Sequence, residues 1–184
     1  MFGGSEAVVR FGALPMAVFQ PEDCNRLDFE ILAEGGVALY FQHEVLGEDL
    51  AWLALERYEV VQFDEEALES VEGFHFEARL KLGFPEGYEP TLEDLRDSMS
   101  EIEVPDEGGV ALVLLGVERI AADDLEGLRS IVGVISDLSH EFLLTGHRLV
   151  TLLQSEDPEL DLGSLGARSV LWNPRERMPW TRGL

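Results

Sequence analysis

Glu93 and Asp97 lie four residues apart, so on a helix their carboxylates project from one face. Glu86, Glu89 and Glu101 extend this acidic neighbourhood, and Arg79 and Arg96 sit close enough in sequence to relieve part of the repulsion. Like charges at this spacing destabilise an isolated helix slightly. A binding role would offset that cost, because a row of carboxylates imitates the phosphates that a cationic cleft is built to hold. A solvated face of an acidic protein explains the same spacing.

Other arrangements of reactive residues fall short of a site. His140 and His147 are seven apart, with Asp137 and Glu141 as carboxylate neighbours, but no His-Glu-x-x-His pattern accompanies them. Asp157-x-Glu159-x-Asp161 opens like a calcium loop, yet Leu162 stands where the glycine turn is required and Arg168 replaces the bidentate glutamate. Cys24 lies in Pro21-Glu22-Asp23-Cys24-Asn25, where neighbouring acids discourage nucleophilic use of a thiol. There is no phosphate-cradling glycine motif and no Gly-x-Ser-x-Gly elbow. The expectation is a binding protein with no cofactor, no metal and no enzymatic activity.

The whole chain shares the acidic bias. Its 184 residues carry 37 acids against 13 bases, a net charge of −24. Such a surface repels nucleic acid and anionic membranes and steers cationic partners toward itself. It is equally what a solubility adaptation would produce. The charge is uneven: residues 1–57 carry 10 acids and 3 bases, residues 58–155 carry 22 and 6, and residues 156–184 carry 5 and 4. A chain of this size buries roughly 70% of its unfolded surface and needs no covalent staple. The single cysteine cannot form an internal disulfide, which favours a reducing compartment. The segment Met1–Glu6 lacks the basic and apolar regions of a secretion signal. Apolar runs such as Val110–Leu115 are strand-sized, short of the ~18 residues that span a bilayer. A cytoplasmic location is therefore expected.

The elements that must position these residues follow from periodicity. Residues 1–57 read as an N-terminal β-rich extension, with strands over Glu6–Phe11 and Met16–Gln20. A hairpin joins Asp28–Leu32 to Val37–Gln42 across Glu34-Gly35-Gly36, and a short helix covers Gly47–Arg57. Residues 58–155 alternate strand and helix. A strand over Glu59–Phe63 leads to a helix over Glu65–Leu82, striped by Leu68, Val71, Phe74, Ala78 and Leu82. A Gly/Pro loop over Gly83–Pro90 follows, and Thr91 with Asp94 forms a capping box that opens a helix to about Glu101. An apolar strand over Val110–Leu115, a long helix over about Ala122–Thr145 and a strand over Leu149–Gln154 complete the unit. Strands separated by helices predict an α/β fold with a small parallel sheet covered by helices in two or three layers. Residues 156–184, with Trp172, Trp180 and three prolines, read as a C-terminal arm that packs back through its tryptophans or meets a second subunit.

Residues 59–155 resemble the barstar family, intracellular protein inhibitors of the secreted ribonuclease barnase. The order of elements is that family's. Leu82-Gly83-Phe84-Pro85-Glu86-Gly87-Tyr88 followed by Leu92-Glu93-Asp94-Leu95-Arg96-Asp97 is similar to its Leu-Pro-Glu-Tyr-Tyr loop and Leu-Asp-Ala-Leu-Trp-Asp helix. Val150-Thr151-Leu152-Leu153-Gln154-Ser155 is similar to its last strand. The resemblance implies a barstar-like fold whose loop and helix plug a ribonuclease active site, one helix carboxylate standing where substrate phosphate would bind. That position is Asp97 here. Glu93 matches an acid one turn earlier, Glu141 a third acid from the long helix, and Glu86, Tyr88 and Asp94 complete the implied partner-binding surface.

Three departures are plain: Gly87 replaces a contact tyrosine, Glu89-Pro90-Thr91 replaces Gly-x-Asn, and Arg96 replaces a tryptophan. The implied partner is a basic protein of barnase type. The alternative is a diverged interaction module without nuclease inhibition, whose partner is its own N-terminal segment or a second copy in a homodimer.

Overall fold

The computed structural model describes residues 18–165 and 168–184. In chain order the first elements are α1 (Leu27–Ala33), β1 (Val37–Tyr40), α2 (His43–Leu55), β2 (Tyr58–Phe63), α3 (Val71–Lys81) and α4 (Leu92–Ser100). There follow β3 (Gly109–Leu115), α5 (Glu118–Leu144), β4 (Leu149–Gln154), β5 (Ser164–Leu165), β6 (Arg168–Ser169) and β7 (Leu171–Trp172). Five strands form one parallel sheet in the order β2-β3-β4-β1-β7, and β5 and β6 form a separate antiparallel pair.

The centre of the sheet is where the sequence is continuously apolar. β3 and β4 are covered on both faces and pair from Val110 opposite Leu149 to Leu115 opposite Gln154. Alternate side chains feed two cores. Val110, Leu112 and Leu114 pack with Phe74 and Ala78 of α3, Leu95 and Met99 of α4, and Leu128, Ile131 and Ile135 of α5. Ala111 and Val113 pack on the other face with Ile31 and Leu32 of α1 and Leu46 and Leu53 of α2. The α/β expectation thus resolves to three layers. β2 is an edge strand with mostly exposed central residues.

The first segment differs from its expected form. Asp28–Leu32 is helical, and residues 18–57 contribute two helices and one strand, so the β-rich character expected of residues 1–57 does not hold for them. Glu34-Gly35-Gly36 is a helix stop. Gly35 and Gly36 have φ of +117° and +81°, and the Gly36 N–H returns to the Ile31 carbonyl at 2.8 Å. The chain then enters β1, which pairs parallel with β4 and so forms no hairpin with the segment before it. The expected strand over Glu6–Phe11 lies outside the described residues; of the one expected over Met16–Gln20, residues 18–20 are described and form a bend, not a strand.

Other boundaries shift by local capping. Glu65–Leu68 is a turn, and α3 begins only where the Ser70 hydroxyl accepts the Gly73 N–H at 3.1 Å. α5 starts at Glu118 but breaks at Asp124, whose carboxylate accepts the Gly127 N–H at 2.8 Å and restarts the helix. The C-terminal segment joins the sheet through β7, with the Asn173 N–H donating to the Leu39 carbonyl at 2.8 Å. Trp172 packs against the core beneath the Arg182 guanidinium, 4.4 Å from its ring, whereas Trp180 is exposed. Among the described residues no helix is long and apolar enough to cross a membrane.

Candidate functional site

The acidic face is built by a loop that folds onto its own side chains. Leaving α3, the chain turns at Gly83, where φ is +69°, and Phe84 N–H reaches the Arg79 carbonyl at 3.0 Å. Phe84 and Tyr88 then bury their rings together, centroids 4.9 Å apart. The Tyr88 hydroxyl bonds to Nδ1 of the buried His75 on α3. Burial, with Asp94 adding to it, pushes the Tyr88 hydroxyl up to about 12, and burial holds His75 below its usual range. These anchors fix the start of α4.

At that start Thr91 caps the helix: its hydroxyl accepts the Asp94 N–H at 3.1 Å. The Asp94 carboxylate does not close the expected box on Thr91 but accepts the Glu89 N–H at 2.8 Å. Leu95 and Met99 point into the core, which turns the opposite face of α4 to solvent. Glu93 and Asp97 occupy that face and are exposed, as are Glu86, Glu89 and Glu101 nearby.

The charges of this face are largely uncompensated. Among the described residues Glu86, Glu89, Glu93, Asp97 and Glu101 form no ion pair. The two neighbouring arginines are engaged elsewhere. Arg79 donates to the Glu86 backbone carbonyl at 3.3 Å, and Arg96 pairs with Glu141 across to α5. Of the six sequence-derived positions, Glu86, Glu93 and Asp97 therefore lie open and unpaired among the described residues. Tyr88 is mostly buried, Asp94 is half-buried and spent on the loop, and Glu141 is exposed but committed to Arg96.

A scan against protein-family models found no match, and a search of curated proteins found none either.

His75 and Phe76 escaped the sequence reading. His75 offered no signal, since nothing in the spacing links it to Tyr88. Phe76 did: it lies off the Phe74–Ala78 stripe, an apolar residue on the side of α3 that the periodicity assigns to water. The remaining candidates are scattered. His140 lines a groove with Glu34, Gly35, Arg168 and Leu171, while the His147 Nε2 lies 3.5 Å from Asp106. Asp157 and Asp161 each close a local turn, accepting the Glu159 and Gly163 N–H groups at 2.9 and 2.7 Å. Cys24 is exposed in a 3-10 turn over Pro21–Asn25.

Proposed function

We propose that the chain is a barstar-type inhibitor that docks the loop 83–90 and α4 into the cationic active site of a ribonuclease. The observation that carries this reading is that Glu93 and Asp97 form no ion pair among the described residues, exposed one turn apart on a helix whose other face is locked into the core. Such carboxylates are held in place by the scaffold, so binding costs little ordering, and a phosphate-binding cleft supplies the cations they lack. Asp97 stands for the substrate phosphate, with Glu93 and Glu86 flanking it. Engagement of Arg96 by Glu141 keeps its positive charge from Asp97 and removes Glu141 from the free carboxylates. The net charge of −24 adds long-range attraction to a basic partner, raising the association rate more than the affinity.

The test is an RNA-cleavage titration. A barnase-type ribonuclease is expected to lose activity stoichiometrically as the chain is added at low salt. Cleavage that persists unchanged under a large molar excess of the folded chain overturns the reading. A chain that then sediments as a dimer points to the homotypic module instead.

A further inference from the structure

The outer side of α3 carries two large apolar residues that the described residues leave mostly uncovered. Phe76 is 64% exposed and Leu80 62%, one turn apart and opposite the buried Phe74 and Ala78. Beside them, between α3 and the loop that leads into α4, runs a groove of about 320 Å³ lined by Glu72, His75, Phe76, Arg79, Tyr88 and Pro90. Its base is firm, because Tyr88 and His75 are buried and bonded to each other. A rigid aromatic groove with an exposed aromatic at its lip is the anatomy of an interface anchor, where truncation costs most.

Charge identifies the occupant. Glu72, Glu86 and Glu89 around the groove are exposed and form no ion pair among the described residues. The groove's own cation, Arg79, is turned to a loop carbonyl. A second copy of this chain would bring another −24 charges and the same unpaired carboxylates to the contact. A cationic protein with an apolar side chain projecting from its basic surface suits both the lining and the rim.

We propose that this groove is the second anchor of the docking surface, receiving an apolar or aromatic side chain of the same ribonuclease whose phosphate site faces Asp97. The inference rests on the inhibitor reading and deepens it: acids on α4 address the cleft, and the α3 groove grips the partner's surface beside it.

The experiment measures binding of a barnase-type ribonuclease to the full chain and to Phe76→Ala, Phe76→Glu and Asp97→Ala, at low and high salt. Phe76 is exposed, so unchanged unfolding midpoints are expected to certify both Phe76 variants as folded. Phe76→Ala is expected to weaken binding about tenfold or more, as an anchor residue does. That loss should persist in high salt, while the effect of Asp97→Ala shrinks with screening. Phe76→Glu is expected to weaken binding although it adds a negative charge; attraction by charge alone would leave it equal or tighter. Wild-type affinity in both Phe76 variants, with Asp97→Ala impaired, overturns the groove and leaves the inhibitor reading intact. A wild-type chain that does not bind the ribonuclease overturns both.

Discussion

Asp97 keeps its charge exposed because its own chain sends it no cation among the described residues, while Arg96 next to it is drawn away by Glu141. Replacing one member of a buried charge pair in a complex typically costs about 2–5 kcal/mol, roughly 30- to 5,000-fold in affinity, a range for which barnase–barstar is itself a reference system. Asp97→Ala is expected to fall in that range in a calorimetric titration with the ribonuclease. A change under about threefold would remove Asp97 as the anchor. His75 provides a second expectation at this scale. Burial lowers its proton affinity in the folded state from the ordinary 6.5, so the unfolded chain binds the proton first as pH falls. The stability tied to neutral His75 is therefore whole above about 6.5 and lost as pH drops through that value toward the folded one. His75→Gln should flatten the decline in unfolding free energy as pH falls below about 6.5. A slope identical to the wild type would show that His75 does not titrate on unfolding.

At the scale of elements, α4 was legible because its signals are local. Thr91 at the cap, Asp94 three residues on, and the Leu95/Met99 spacing place it within a residue or two of its observed ends. Thr91→Ala removes the acceptor for the Asp94 N–H and is expected to cost about 1 kcal/mol in chemical denaturation. A loss near zero would mean the Asp94–Glu89 bond holds the turn alone. α1 was misread for a physical reason. A short apolar run followed by two glycines suits a hairpin as well as a helix with a left-handed stop, and short apolar runs do not separate strand from helix. The parallel partner β4, more than a hundred residues away, decided the outcome by taking β1 as its neighbour.

At the scale of the molecule the C-terminal segment is tied in by buried polar groups. Glu176 is fully buried and accepts the Phe41 and Gln42 N–H groups at 3.1 and 2.7 Å, satisfying backbone donors where α2 begins. Arg175 pairs with Asp49 and Glu48 of α2, and Asp49 also accepts Tyr40 and Asn173 at 2.9 and 2.8 Å. Glu176→Ala leaves two donors without partners and is expected to destabilise the protein by about 1–3 kcal/mol or more. An unchanged unfolding midpoint would show that water replaces the carboxylate without penalty. Shortening the chain before Leu171 strips β7 from the edge of β1, and such an uncovered edge should raise the tendency to aggregate in light scattering.

The sequence by itself determined the α/β class, the two apolar central strands and the helix that carries Glu93 and Asp97. Each of these is set by contacts within a few residues or by the plain alternation of strand and helix. The tertiary structure decided which charges stay open, since Arg96 and Glu141 meet only when α4 packs on α5, forty-five residues apart. It also decided that residues from both ends of the chain share one sheet and that Tyr88 is held from beneath by His75. Pairings of that reach depend on how distant elements stack, and no local spacing encodes them.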